Sequence, residues 1–169
     1  MKKLCISFLL GVIILLSALF ISCGATKTEY LRIHVRANSN AEVDQSIKYE
    51  IKDLVVDYFT PLLKNCNTKQ ESISVINRHI TSINRLIDDF LLKKGYKYRS
   101  RVALKAESFP TRVYDGVVLE AGVYDALIIT LGEGVGDNWW CVVYPPLCFS
   151  GEKVEYRSVI SEFFKRVFN

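Results

Sequence analysis

Apolar and polar residues alternate along parts of this chain, which predicts β-strands early in the sequence and again in its second half. Residues 30–36 alternate strictly, which predicts a half-buried strand with apolar side chains on one face and charged side chains on the other. A period of two returns after residue 96, and residues 120–122 between two apolar runs predict a hairpin turn. The strands expected in this later part cover residues 102–106, 117–119, 123–131 and 139–144.

Between these strand regions, apolar residues recur at steps of three and four, which predicts two amphipathic helices. Ser39 and Glu42 fit a capping box at the start of the first helix, which should end near Pro61. A second capping box over residues 68–71 should start the next helix, and Gly95 is well placed to end it. The short connection between the two helices predicts an antiparallel helical hairpin.

The expected elements follow the order of a strand, two helices, four strands and a final helix over residues 154–167. This order predicts an α+β fold in which helices pack on one face of a mainly antiparallel β-sheet. Residues 24–169 have the length of one domain, and no repeat or low-complexity segment divides them. We therefore expect a single exported α+β domain after residue 23.

The N-terminal segment has the pattern of an export signal. Basic residues 2–3 precede an almost uninterrupted apolar run over residues 4–21, and small residues follow at 22–25. The run is long for a signal peptide and falls near the lower limit for a membrane span. Residues 1–23 are therefore predicted to be a signal peptide or an N-terminal membrane anchor, with lipidation at Cys23 as a third outcome.

The charge of the chain argues against binding to nucleic acid. Its formal net charge is +4, but Lys2 and Lys3 belong to the export segment. Without them, 20 basic residues stand against 18 acidic ones, since residues 1–23 contain no acid. No basic stripe remains that would suit a phosphate backbone or an anionic membrane surface. Membrane contact is expected only through the N-terminal segment.

Cysteine usage agrees with export into an oxidising compartment. Two of the five cysteines fall in residues 1–23. Cys141 and Cys148 are close enough in sequence to pair across the bend at residues 144–146, so we expect a disulfide between them. Cys66 is then the odd cysteine, and a buried, small apolar residue at a helix end is the simplest interpretation.

The sequence shows no pattern typical of an enzyme. Cys141 or Cys148 could act as a nucleophile activated by His34 or His79, but a disulfide would remove both thiols. The glycines of residues 132–136 precede a strand-like segment, whereas a phosphate-binding loop needs a helix there. The two histidines lie far apart and lack metal-ligand spacing. We expect no catalytic residue, no metal and no cofactor.

A binding function fits the sequence better. Trp139 and Trp140 are adjacent on an expected strand, so they must point to opposite faces, and tryptophan is enriched in interface hot spots. Asn38 suits a turn, but Arg36 and Gln45 are not explained by turn chemistry and are better contact candidates. The predicted partner-binding residues are Arg36, Asn38, Gln45, Arg112, Trp139, Trp140, Pro145 and Pro146.

Four motifs spread over the expected exported domain are typical of one known family. They are HVRANSN at residues 34–40 with Asp-Gln at 44–45, FPTR at 109–112, Leu119 with AGxYDAL at 121–127, and GEGxGxNWWCVxxPPLCF at 132–149, where x marks positions outside the motif. On these motifs the chain resembles the stage II sporulation protein R family. The last motif combines glycines, adjacent tryptophans, a proline pair and two cysteines, and it is highly specific.

This resemblance implies a signalling role in endospore formation. Such proteins are exported from the forespore into the space between the two membranes, where they trigger a membrane-embedded aspartic protease of the mother cell. That protease removes the pro-sequence of sigma factor E. The resemblance thus implies a signalling protein, not an enzyme, with the protease as its partner. An exported thiol-dependent enzyme and a structural envelope protein remain as alternatives.

Overall fold

The computed structural model describes residues 29–114 and 116–148. The expected signal peptide or anchor at residues 1–23 and the expected final helix at 154–167 both lie outside the described residues. None of the helices formed within the described ranges has the length and apolar content needed to cross a membrane.

Two helices and six strands make up the described part of the chain. In chain order they are β1 (Leu31–Arg36), α1 (Glu42–Leu63), α2 (Lys69–Lys93), β2 (Ser100–Phe109), β3 (Arg112–Tyr114), β4 (Val117–Leu119), β5 (Gly122–Leu131) and β6 (Asn138–Tyr144). This content confirms the α+β class.

The ends of α2 follow the sequence prediction. Thr68 Oγ1 accepts a hydrogen bond from Glu71 N at 3.1 Å, and the Glu71 carboxylate accepts one from Asn67 N at 2.8 Å. Gly95 has a φ of +85°, a conformation that side chains disfavour, and its N–H donates to the Leu92 carbonyl. The predicted start and end of this helix are confirmed.

The start of α1 differs from the prediction. Its N-cap is Ala41, which has no side chain that can accept a hydrogen bond. Ser39 Oγ instead donates to Asp44 Oδ2 at 2.6 Å, so the hydroxyl is already used by a carboxylate in the first turn. The predicted capping box between Ser39 and Glu42 is therefore wrong.

The main sheet is mixed. Its strand order is β2-β5-β1-β6, in which β1 pairs with β5 in parallel and the other neighbours are antiparallel. Three of the four strand pairs in the described residues are antiparallel, as expected, but the parallel central pair was not predicted. Helices α1 and α2 contact each other and pack on one face of this sheet.

The predicted hairpin across residues 120–122 is wrong. Strand β4 pairs with β3, not with β5, and the two short strands form a separate two-stranded sheet. Gly116 lies in the turn between them with a φ of +83°. Strand β5 instead uses its two edges to pair with β2 and β1, which leaves no edge for β4.

Strand β1 lies at the centre of the fold and is buried on both faces. Leu31, Ile33 and Val35 are fully buried in the core beneath the helices. On the other face Arg32 is 0% exposed and His34 is 5% exposed, so the predicted half-buried strand is wrong. The cause lies in the end of the neighbouring strands, which covers this second face.

The far end of the β2–β5 pair bends over β1. In the strand register Ala103 lies opposite Ile128, which lies opposite His34. The His34 ring nevertheless contacts Glu107 and Phe109, which come four and six residues after Ala103 along β2. Such contacts require the ladder to curl, and the curled end shields the polar side of the central strand from solvent.

Candidate partner-binding face

The sheet face opposite α1 and α2, here called the helix-free face, gathers cationic and aromatic side chains. Because side chains alternate along each strand, its members follow from the strand register. They are Arg32, His34, Arg36, Arg101, Ala103, Lys105, Glu107, Phe109, Tyr124, Ala126, Ile128, Thr130, Asn138 and Trp140.

A buried guanidinium lies at the centre of the helix-free face. Arg32 Nη2 donates to the Tyr114 hydroxyl at 2.8 Å, and its Cζ lies 4.2 Å from the Phe109 ring centroid and 4.9 Å from that of Tyr124. Within the described residues, its Nε and Nη1 atoms have no hydrogen-bond partner and it makes no ion pair. Aromatic rings therefore stabilise a charge that a carboxylate would usually neutralise.

A second polar group links β1 to the curled end of β2. Glu107 Oε1 lies 3.0 Å from His34 Nδ1 and also accepts from Arg36 Nη2. The Glu107 side chain is 14% exposed and that of Arg36 is 31% exposed. Burial lowers the pKa of His34 and Arg36 lowers it further; Glu107 and Asn138 raise it, but the net shift is downward. His34 is therefore neutral at pH 7.

Acidification should destabilise the fold through His34. Because its pKa is lower in the folded protein than in the unfolded chain, the unfolded chain binds the proton more readily. Full stability is present above the unfolded pKa of about 6.5 and is lost as pH falls through the folded value. Urea unfolding between pH 7 and pH 5 should show this loss with a slope of at most about 1.4 kcal/mol per pH unit. His34→Gln should flatten the slope; an equally steep slope in that variant would contradict the assignment.

Arg112, from β3, packs against the partly exposed Trp140 of the helix-free face. The Arg112 guanidinium lies 4.2 Å from the Trp140 ring centroid, and the His34 ring lies 5.3 Å away on the same tryptophan. Both Trp140 and Arg112 are partly exposed. The structure thus brings Arg36, Arg112 and Trp140 to one face, although they are distant in sequence.

Trp139 points to the opposite side of the sheet. It is 7% exposed and belongs to the main hydrophobic core beneath the helices. The prediction that adjacent tryptophans face opposite ways is confirmed, with one in the core and one at the surface. Trp139 has the surroundings of a structural residue, and its predicted partner contact remains a prediction.

Asn38 connects the turn before α1 to the glycine-rich loop after β5, and Gln45 binds back to the same turn. Asn38 Nδ2 donates to Asp44 Oδ2 at 2.7 Å, while Asn38 Oδ1 accepts from Glu133 N at 2.9 Å. Gln45 Nε2 donates to the Ser39 carbonyl at 2.8 Å. These internal hydrogen bonds explain both residues as local structure, and their predicted role in partner binding remains untested.

Gly136 lies where this loop meets the turn, and a larger residue has no room there. Its N–H donates to the Ala37 carbonyl at 3.0 Å, and a Cβ atom would overlap the backbone of Ser39. Gly136→Ala should therefore lower the free energy of unfolding by about 2 kcal/mol, as overpacking typically does. Gly122→Ala is the matched control, because its Cβ would make an ordinary contact of 3.5 Å with Tyr124. Equal stability losses for the two variants in urea unfolding would contradict this assignment.

The Cys141–Cys148 disulfide is present, as expected, with 6.4 Å between the Cα atoms. It closes a short loop after β6 in which Pro145 and Pro146 are exposed. The Tyr144 hydroxyl donates to the Asn67 carbonyl at 2.5 Å and holds the loop near the connection between α1 and α2. The proline pair is therefore exposed on a loop held beside the α1–α2 connection, and its predicted partner contact remains a prediction.

The described residues do not assemble a thiol or metal site. Both cysteines near Trp140 are in the disulfide, and Cys66 is the one free cysteine in the described ranges. His79 Nδ1 lies 2.8 Å from the Tyr58 hydroxyl on the helices, whereas His34 lies on the sheet. Within residues 29–114 and 116–148, no group of three His, Cys, Asp or Glu side chains could hold a metal ion.

Arg32 and Glu107 were not predicted from the sequence as site residues. Alternation placed Arg32 on the polar side of β1, and a polar side was assumed to face water. Glu107 looked like one of several charged residues along β2. The motif FPTR, which begins two residues after Glu107, was a usable signal, because it marks the end of β2, where Glu107 and Phe109 contact β1.

The described residues define a small α+β protein with a disulfide-closed loop and a cationic, aromatic sheet face. The sequence profile of stage II sporulation protein R matches residues 27–154. The chain therefore belongs to the stage II sporulation protein R family, which supports a role in sporulation.

Among curated proteins, stage II sporulation protein R of Bacillus subtilis (strain 168) is 37% identical over 129 residues. That alignment covers 74% of this chain and 58% of the relative, so the chain spans less than two thirds of the relative's length. No solved structure is significantly similar to the chain. The family assignment therefore rests on sequence similarity.

Proposed function

We propose that this chain is a secreted signal of endospore formation that triggers a membrane-embedded aspartic protease to process pro-sigma factor E. The family match over residues 27–154 carries this proposal, since it includes the Trp-Trp strand and the disulfide loop. The chain acts by binding, and the protease performs the only chemical step. It is exported across the forespore membrane and reaches the protease from the intermembrane space.

Two features of the structure support this role. A disulfide between Cys141 and Cys148 suits a compartment outside the cytoplasm. The helix-free face offers a partly exposed tryptophan stacked on an arginine, a pair of residue types enriched in protein interfaces. To activate the protease, the signal must bind its active state more tightly than its inactive state, because equal affinity would shift no population.

A processing assay in a non-sporulating bacterial host tests the proposal. The full chain, the protease and pro-sigma factor E are produced together, and shortening of the sigma factor is followed on gels. Processing should require both the chain and the protease. Protease alone is the first control, and a chain lacking residues 1–23, and so retained in the cytoplasm, is the second.

Absence of processing, with all three proteins made and the chain exported, would overturn the proposal. Processing by the cytoplasmic chain would contradict action from outside the membrane. A thiol-blocking reagent distinguishes the enzyme alternative, because a signal whose cysteines are joined should keep full activity after treatment. A structural envelope protein would support no processing in this host.

A further inference from the structure

We propose that the helix-free face binds an acidic segment on the extracytoplasmic side of the protein's partner, through the exposed cations Arg101 and Lys105 and the partly exposed pair of Arg112 and Trp140. This inference deepens the proposed function, on which it rests, by naming the surface that the signal uses and the chemistry that it recognises.

The first argument is an excess of positive charge on this face. The four strands place four cations there, and Glu107 is the one carboxylate that they place on it within the described residues. Glu107 already contacts His34 and Arg36 through its Oε1 atom, and its Oε2 atom lies 3.8 Å from Lys105 Nζ. The cations are Arg32, Arg36, Arg101 and Lys105, and Arg112 from β3 adds a fifth.

The second argument is that the protein's own side chains do not fully neutralise this positive charge. Arg32 is fully buried, and its one hydrogen bond goes to Tyr114, whose pKa burial raises and which is therefore a neutral phenol. An unneutralised charge in a low-dielectric interior projects its field further than one in water. Arg101 is exposed, and the Lys105 side chain is 55% exposed although its Nζ lies 3.8 Å from Glu107, so both can reach a partner's carboxylates.

The third argument is the kind of surface that surrounds this charge. Arg112 stacks on Trp140 at 4.2 Å, so a planar cation and a large ring are presented together. Arginine can hold a carboxylate through two parallel hydrogen bonds, and tryptophan adds apolar area with few rotors. A curled, partly buried face with this composition fits a shaped polypeptide better than the flat surface of a lipid bilayer.

The chain's own last residues are a less suitable occupant of this face. Residues 149–169 contain three acidic and four basic residues, so they carry no net negative charge to complement the face. The exported part as a whole is close to neutral, with 20 basic and 18 acidic residues after Lys2 and Lys3 are removed. Its positive charge is therefore a local property of the helix-free face.

The test uses charge changes at exposed positions, so that the fold is kept. Arg101→Glu with Lys105→Gln alters the helix-free face. Arg85→Glu with Lys97→Gln changes the net charge equally at exposed positions away from this face. Both variants of the full chain are compared with the unaltered chain in the processing assay, and their association with the detergent-solubilised protease is measured at low and high salt.

We expect the face variant to lower both processing and the association rate by at least about tenfold at low salt, since steering by charge contributes factors of this order. The control variant should change the processing and the association rate by less than about twofold. Its charge changes are equally large but lie outside the contact, where salt screens their effect on the partner. The salt dependence of association should also be weaker in the face variant. Arg112→Ala with Trp140→Ala should reduce processing with a smaller change in salt dependence, because it removes one positive charge, whereas the face variant changes the charge by three.

Several outcomes would overturn the inference. If the unaltered chain supports processing and the face variants match the control, the proposed function stands but the face is wrong. If no chain supports processing, the proposed function itself fails. Binding to vesicles of anionic lipid that only the face variant loses would assign the surface to a membrane. If truncation of the chain at residue 148 makes its association with the protease faster, the helix-free face would be assigned to the chain's own last residues.

A charge exchange gives a second, independent readout. Lysine substitutions at single acidic positions on the extracytoplasmic loops of the protease should include one that restores processing to the Arg101→Glu, Lys105→Gln chain. Such rescue requires direct contact between opposite charges. If no substitution restores processing, and circular dichroism shows the variant folded, the acidic-segment proposal is contradicted.

Discussion

Replacing Trp139 with alanine should lower the free energy of unfolding by about 4 kcal/mol, the usual cost of truncating a large buried aromatic residue. The ring is 7% exposed and packs in the main core beneath the helices. The same change at Trp140 should cost only about 1 kcal/mol, because that ring is partly exposed and its main neighbours are Arg112 and His34. Urea unfolding monitored by far-ultraviolet circular dichroism measures both values.

The two adjacent tryptophans thus form a matched pair that separates stability from signalling. Trp140→Ala should reduce processing in the co-production assay while the protein stays folded. Trp139→Phe, which keeps much of the buried volume, should retain more processing than Trp140→Ala. Similar stability losses at the two positions would show that both rings are structural, and would remove Trp140 from the proposed contact.

Opening the Cys141–Cys148 disulfide should lower the free energy of unfolding by about 2.5 kcal/mol. The two cysteines are separated by 7 positions, and closing a loop of that length restricts the unfolded chain by an entropy that corresponds to this value. Thermal or urea unfolding with and without a reductant measures the difference. The free Cys66 thiol is present in both states and does not contribute to it.

Replacement of the cysteines provides the control for the reductant. The free energy of unfolding of the double variant Cys141→Ala, Cys148→Ala should match that of the reduced protein to within about 1 kcal/mol. That difference is the cost of removing one small buried side chain. Serine would be a poorer choice at position 141, which is fully buried and would then contain a hydroxyl group. Full stability under reducing conditions would show that the loop is fixed by packing and not by the disulfide.

Local features of the fold could be predicted from the sequence. The capping residues Thr68 and Glu71 and the stop at Gly95 predicted α2 because the relevant hydrogen bonds join near neighbours. Alternation correctly placed Trp139 and Trp140 on opposite faces of β6. In both cases the physical cause acts within a few residues, so the local sequence pattern is enough to predict the local structure.

Features that depend on distant segments could not be predicted in this way. Nothing near β1 shows that it pairs in parallel with β5, since the pairing partner of a strand is set by the whole sheet. The same holds for Arg32, whose burial depends on Phe109 and Tyr124 from the curled end of β2 and β5. The candidate face was therefore predicted only in part: Arg36, Arg112 and Trp140 were identified, but the curl that unites them was not.

The pairing of β1 also decides when this protein can fold. Leu31 lies opposite Asp125 on one side and Tyr144 on the other, so the first strand to emerge must wait for the last two. Closing such long loops is slow, and a chain that leaves the membrane N-terminus first keeps its sheet unformed until almost the whole domain has passed. The helices can form earlier, but they then lack a surface to pack on. Under the proposed export, late folding of this kind would leave the chain unfolded while it crosses the membrane and exposed to proteases until strand β6 has emerged.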